Sequence, residues 1–404
     1  MRNPSILGRV RPASADRTLE EALAGYRPPH RVGAEDVDLT AAVGRVAAED
    51  VVSPISLPAF DRSAVDGWAI ASTDVPGRLR RGGAVHMGEQ PQVSAGGGAA
   101  VAVPTGARLP DGADAVVMSE LADAREDGVE IGQPVRPGAN VVAAGEDVKP
   151  DETVIRSGAR LRPQQVALLA ALGVAGVTVY RRPRLAIVST GNELVGRGEP
   201  PGQAQVRDAN GPALAAMALQ LGAEPVPFGI VRDDPDELLA VCRRAVTECD
   251  VAVVSAGGSV GEGDRTAAVL DRLGRPGVWC HGLALKPGRP TTLAEAAGKP
   301  VIGLPGNPVP ALLVMQLVGG PVIGRVGGLA DDDPPSARAG ELAEDVPGAP
   351  GVLRLVHARL DGRVVRPLVA RPSRLSVMAG ADGFLRVPEP GFRSGQTVDV
   401  DLYL

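Results

Sequence analysis

From Arg184 onward the chain repeats one pattern: a short run of β-favouring apolar residues, a loop rich in glycine or small polar residues, then a helix-forming stretch. RLAIVS leads to NGPALAAMALQLG, PVPFGIV to DPDELLAVCRRAVTE, VAVVS to a glycine-rich loop, and VIGLPG to PVPALLVMQLV, where proline stands just inside the helix start. Unbroken apolar strands alternating with helices predict a parallel-rich sheet covered on both faces. Folds of this kind bind ligands beyond the carboxyl ends of the strands. The loops that fall there are 190–193, 233–234, 256–264 and 306–307.

The third loop is the most telling. VAVVSAGGSVGEGD places Ser255, Gly257, Gly258, Ser259 and Gly261 at the end of a strand, with Glu262 and Asp264 just beyond. Glycines let backbone N–H groups approach an anion closely, because no Cβ blocks the way. The carboxylates cannot hold a phosphate themselves, but they can hold a Mg²⁺ that does. An ordinary turn before a helix has the same composition, so this loop gains meaning only from its neighbours on the same rim. In RDDP, Asp234 can cap the following helix while Asp233 faces a ligand.

The remainder reads as further domains, as 404 residues require. Residues 16–49 together with 148–180 form an N-terminal helical and linker domain. Thr18 is a candidate cap before LEEALAGY, a second helix is expected over 38–50, and a third from Pro163 to Gly173. These helices are expected to pack together around an inserted β-domain at 50–147, where VAVPTG, AVVMSE and GVEI are separated by Asp-Gly turns. Residues 181–330 are the α/β domain, and 331–404 a C-terminal β-domain entered through a Pro-rich linker near 331–340.

Composition narrows the function. Net charge is −6 without a Lys/Arg-rich run, which argues against nucleic-acid or polybasic membrane binding. Cys242, Cys249 and Cys280 form no CxxC pair, and only four histidines are present, which fits a reducing cytoplasm and disfavours a zinc site. The N-terminus lacks the apolar core of a signal peptide. The uncharged run 301–324 is long enough to span a bilayer, but its four prolines fit a strand, a loop and a buried helix better. A soluble, cytoplasmic protein is expected.

PAFDRSAVDGWAI, VPTGARLPDGADAVVMSE, GANVVAAGEDV, RPRLAIVSTGNEL, GIVRDDPDEL, GGSVGEGDRT, LALKPGRP and LPGNPV occur in that order. In these segments the chain resembles the molybdopterin molybdenumtransferases, the MoeA and gephyrin E-domain family, over about residues 16–404. The resemblance implies a homodimer of four-domain subunits with a shared cleft, a molybdopterin-binding α/β domain and a small barrel-like C-terminal domain. It implies Mg²⁺-dependent insertion of molybdate into adenylylated molybdopterin with release of AMP. Asp233, Asp264 and Glu193 would then serve Mg²⁺ and catalysis, joined by Asp66, Thr105 and Asp147. Ser255, Gly257, Gly258, Ser259, Gly261, Gly306, Asn307 and Pro308 would hold the pterin nucleotide. Lys286, Arg289 and Pro290 of KPGRP, with Arg354 and Ser373, would hold molybdate, a dianion suited to paired cations.

Some positions depart from the family pattern: Asn192 for Asp, Val142, Ala143 and Ala144 where arginines are common, Gly282 for Lys, Pro310 for Ser, and Arg62 for Asn. Each lost cation should weaken anion binding by about 1–3 kcal/mol where the contact is desolvated. The competing reading is a paralogue that binds pterin nucleotide as a scaffold. A kinase or nucleotidyltransferase is disfavoured, since GGSVGEGD lacks the lysine of a P-loop.

Overall fold

The computed structural model describes residues 16–256, 262–330, 336–368 and 374–404, without the side chains of 262–264. It divides into two compact units. One comprises Met1–Glu35, Gly44–Ala48 and Val179–Leu404, the other Asp36–Val43 and Glu49–Thr178.

In the first unit the expected alternation forms a six-stranded sheet in the order Glu224–Val231, Arg184–Thr190, Val251–Ala256, Lys299–Leu304, Thr292–Ala296, Pro276–His281. The first four strands run parallel, and the last two are added antiparallel. Side chains alternate between faces, so each strand feeds two cores. Leu185, Ile187, Val251, Val253 and Ile302 pack with Leu214 and Ala218 of the helix Asn210–Gln220 and with Leu313 and Val314. Ala186, Val188, Ala252, Val254 and Val301 pack with Leu238, Cys242 and Ala245 of Pro235–Glu248 and with Leu270. Burial on both faces is why these strands read as continuous apolar runs.

The helical stretch Pro308–Val326 is apolar and long enough to cross a bilayer, yet 78% of its most apolar window is buried inside the protein. It is a core helix, as its prolines suggested. A π-helical segment at Met315–Gly319 precedes Pro321, which has no N–H to continue regular α bonding.

The helix Leu19–Gly25 starts at a complete capping box between Thr18 and Glu21. Leu19, Ala22 and Tyr26 are buried in the sheet core, and the Tyr26 hydroxyl accepts from the Val301 amide at 3.1 Å. The first helix thus packs on the α/β sheet and belongs to that unit, whereas the helix near 163, expected to share its domain, falls in the other. The helix expected over 38–50 shrinks to one 3₁₀ turn, Leu39–Ala42, capped by Asp38 and followed by Gly44 at φ 77°.

The C-terminal strands Leu353–Asp361, Val364–Pro367, Ala337–Leu342, Thr397–Leu402 and Gly383–Val387 close into a small barrel, because Leu353–Asp361 pairs with both its neighbours. Ala337–Leu342 falls largely where a linker was expected. Its polar, Gly-containing sequence hides it. Gly340 is needed because a Cβ there would lie 2.8 Å from the Arg363 carbonyl.

The second unit holds a six-stranded sheet ordered Ala115–Met118, Gly67–Ile70, Ala99–Val103, Gly77–Ala84, Gly128–Ile131, Asp123–Arg125, cored by Trp68, Ile70, Leu79, Val117 and Val129. The helix Pro163–Ala171 begins at its proline, and Gly173 lies just beyond it at φ 77°, as expected.

Candidate functional site

Four adjacent parallel strands end on one rim, and each carries one of the loops marked in the sequence. Asp234 caps the helix Pro235–Glu248, accepting from the Asp236 and Glu237 amides, which lowers its pKa. Its neighbour Asp233 does not cap. Asp233 instead accepts from the Asn192 amide at 3.0 Å and the Thr190 hydroxyl at 3.2 Å, joining two strand ends. Asn192 returns a bond, its Oδ1 accepting from the Asp233 amide at 3.3 Å. An aspartate at 192 would set a second carboxylate beside Asp233; the neutral amide avoids that repulsion.

Glu193 lies in a turn, not in a helix. Its carboxylate folds over Gly191, where a Cβ would come within 2.7 Å of it. The cavity between these loops is lined by Thr190, Asp233, Ala256, Arg265 and Thr266. Arg265, on the first turns of Glu262–Asp271, was not singled out from the sequence, because a lone arginine in a helix usually marks a solvated face.

Asn210 was missed for a similar reason: it reads as an ordinary helix start. Its Nδ2 donates to the Ser255 hydroxyl and, at 2.8 Å, to the Gly306 carbonyl, tying two of the expected pterin loops together. Its Oδ1 is buried and has no hydrogen-bond partner among the described residues. Asn307 caps the next helix through the Val309 amide, with Pro308 at the first turn. Pro310 is buried in that same first turn, where its missing N–H breaks no bond. Gly257, Gly258, Ser259, Gly261, the Asp264 side chain and Ser373 lie outside the described residues.

The expected molybdate residues come from two sequence regions. Leu285–Lys286 pairs in parallel with Leu353–Asp361, so Lys286 and Arg354 are direct register partners. The Arg354 guanidinium donates to the Pro347 carbonyl at 2.6 Å. Arg289 and Pro290 are exposed on the same loop as Lys286. Arg289 donates through Nε to Asp16 at 2.6 Å. Gly282 adopts φ 98°, and a Cβ there would meet Asp16 Oδ1 at 2.6 Å, so this backbone does not suit the lysine usual in the family.

On the second unit, Asp66 Oδ1 accepts from the Thr105 amide at 2.7 Å and hydroxyl at 3.0 Å. Those two bonds, the amide first, hold its carboxyl below the usual range. Asp147 is exposed, its amide bonded to the Leu57 carbonyl. Val142 is the register partner of Arg62, so two departures from the family face each other across one short ladder, a cation standing at 62 where 142 has none.

Among the described residues no three His, Cys, Asp or Glu side chains gather as a metal cluster. Oxygen ligands beside Asp233 among the described residues include the Thr190 hydroxyl and the Asn192 carboxamide, while Arg265 lines the same cavity. That set fits Mg²⁺, which is commonly held by one or two carboxylates, water and substrate phosphates, and does not suit a thiolate or imidazole metal.

Comparison with known proteins covers almost the whole chain. The MoeA N-terminal region (domains I and II) matches residues 14–173, a probable molybdopterin binding domain 186–325, and the MoeA C-terminal region (domain IV) 339–403. The molybdopterin molybdenumtransferase of Bacillus subtilis is 32% identical over 91% of this chain and 89% of its own length. That of a Nostoc species is 37% identical over 73% of this chain and 70% of its own. A crystal structure of the Pyrococcus horikoshii molybdopterin biosynthesis protein MoeA superposes with a TM-score of 0.82 at 30% identity, covering 96% of this chain and all of that one.

Proposed function

The chain belongs to the molybdopterin molybdenumtransferase family and acts in molybdenum cofactor biosynthesis as the enzyme that inserts molybdate; we propose that its substrate is adenylylated molybdopterin, that it requires Mg²⁺, and that it releases AMP. The observation that carries this reading is the bridging of Asp233 to Thr190 and Asn192 on the rim formed by the four parallel strand ends.

In this reading each part of the rim has a task. The Ser255 and Gly306 loops, fastened by Asn210, fix the pterin phosphate next to the start of the helix Glu262–Asp271, where backbone amides and the helix dipole favour an anion. Thr190 and Asn192 hold the Asp233 carboxylate in one orientation, so that it need not reorganise when charge develops on the leaving phosphate. Asp233, with Asp264 and Glu193, would hold Mg²⁺; when bound, the ion neutralises phosphate oxygens and stabilises the departing AMP. Lys286 and Arg354 supply adjacent positive charge for the molybdate dianion, and Arg289 a planar donor edge. Surviving acidic groups on both units favour turnover over a purely scaffolding role.

We also propose a cytoplasmic homodimer in which the Asp66–Thr105 pair of one subunit serves the rim of its partner. Mass measurement and mixing of Asp66→Asn with Asp233→Asn subunits test this: activity recovered in the mixture supports shared sites, and a monomeric mass rejects them.

The decisive experiment incubates the protein with adenylylated molybdopterin, molybdate and Mg²⁺ and follows AMP. Stoichiometric, Mg²⁺-dependent AMP and molybdenum-loaded pterin are expected. Molybdenum insertion without AMP, or undiminished by chelation, would overturn the proposed chemistry.

A further inference from the structure

Arg289 stands on an exposed loop with 74% of its side chain open to solvent, and an arginine so placed ordinarily samples many rotamers. Here it is restrained. Its Nε donates to Asp16 Oδ2 at 2.6 Å, and Asp16 itself is mostly covered, its side chain 24% exposed.

Asp16 is fastened through its neighbours. Arg17 forms a parallel bridge with Leu283, its carbonyl accepting the Ala284 amide at 2.7 Å. The Arg17 guanidinium lies 4.4 Å over the Trp279 ring, and Thr18 opens the capped helix Leu19–Gly25. Room for the carboxylate comes from Gly282, where any side chain would begin 2.6 Å from Asp16 Oδ1. The opposite end of the loop is held too, since the Arg289 carbonyl accepts the Leu283 and Thr291 amides at 2.9 and 2.8 Å.

We infer that Asp16 is the positioning residue for Arg289: it grips the guanidinium by Nε and presents the two Nη groups to the oxyanion. The inference rests on the reading of Arg289 as an oxyanion ligand. Two effects oppose one another. A carboxylate beside the site reduces its positive charge, but that loss is screened in solvent. Fixing a long, mobile side chain in advance lowers the ordering cost of binding, and a two-oxygen contact depends on that orientation.

The test measures molybdate KM and kcat for insertion in the wild type, Asp16→Ala, Asp16→Asn, Arg289→Ala and the Asp16→Ala/Arg289→Ala double variant. Asp16→Ala should raise KM about fivefold with kcat at saturating molybdate retained, a restraint effect typical of a lost preorganised arginine contact. Asp16→Asn, which keeps an acceptor oxygen, should restore most of the affinity, and the double variant should match Arg289→Ala alone. A lower or unchanged KM in Asp16→Ala, or additive losses in the double variant, would overturn the positioning role while leaving Arg289 as a ligand. An unchanged KM in Arg289→Ala would instead remove the reading beneath it.

Discussion

Lys286 and Arg354 stand 68 positions apart in the chain yet are register partners in one parallel pairing, Leu285–Lys286 against Leu353–Asp361. The ladder sets one cation from the α/β region beside one from the C-terminal barrel. Opposed like charges destabilise a sheet unless an anion lies between them. Lys286→Ala and Arg354→Ala should each raise molybdate KM about tenfold, in line with a charge-assisted contact of about 1–3 kcal/mol. If both act on one anion, the combined variant should lose less than the sum. Steady-state titration of molybdate reads this; unaltered KM in both variants would place the oxyanion elsewhere.

Asp233 and Asp234 are neighbours with separable duties. Asp234→Ala removes a helix cap and should cost about 1 kcal/mol of stability, seen as a lowered thermal midpoint, with turnover largely kept. Asp233→Asn keeps the shape and should leave the midpoint nearly unchanged while lowering kcat about a hundredfold, as for loss of a preorganised charged group. Calorimetry and AMP release together check the contrast, and a reversed pattern would exchange the two assignments.

The legible parts of the sequence were those governed by local chemistry. Unbroken strands such as VAVVS, the Thr18 and Asp234 caps, and proline at the start of 163 and 308 each follow from side-chain type and spacing. The missed parts depend on partners far away in the chain. Ala337–Leu342 becomes a strand because Thr397–Leu402 is there to pair with it, and the 38–50 stretch fails as a helix where Gly44 turns left-handed. Asn210 matters through Ser255 and Gly306, 45 and 96 residues away, and Asp16 through Arg289, 273 residues away. Asp66 with Thr105 was legible only as family resemblance; their hydrogen bonds supply its physical content.

Gly191 offers a test of Glu193 that leaves the glutamate in place. A Cβ at 191 would meet the Glu193 carboxylate at 2.7 Å, and the carboxylate is the free-swinging end of its side chain. Gly191→Ala should therefore move that group, and because Gly191 sits at φ 158°, where a side chain is strained, it should also cost about 1–3 kcal/mol of stability. If the carboxylate serves the reaction, Gly191→Ala should lose as much kcat as Glu193→Gln, and the double variant should lose no more than either. Full activity in Gly191→Ala beside a crippled Glu193→Gln would show that the carboxylate works from another position.

Asp250 makes the stability of the first unit depend on acid. Its burial would raise the carboxyl pKa, but the Arg181 guanidinium grips both oxygens at 2.7 Å, the Arg184 amide donates at 2.8 Å, and His30 Nε2 lies 2.8 Å away. The bonds win, and the pKa falls to about 2 from 3.8. A depressed carboxyl stabilises the fold above its unfolded pKa and ceases to do so as pH falls through its folded one. The contribution, about 2 kcal/mol, should hold constant above pH ~5 and vanish between pH ~4 and ~2. Thermal midpoints of the wild type and Asp250→Asn should therefore differ by a fixed interval near neutrality and converge in acid. A gap that persists below pH ~2 would mean that the variant loses packing and not the ionised carboxylate.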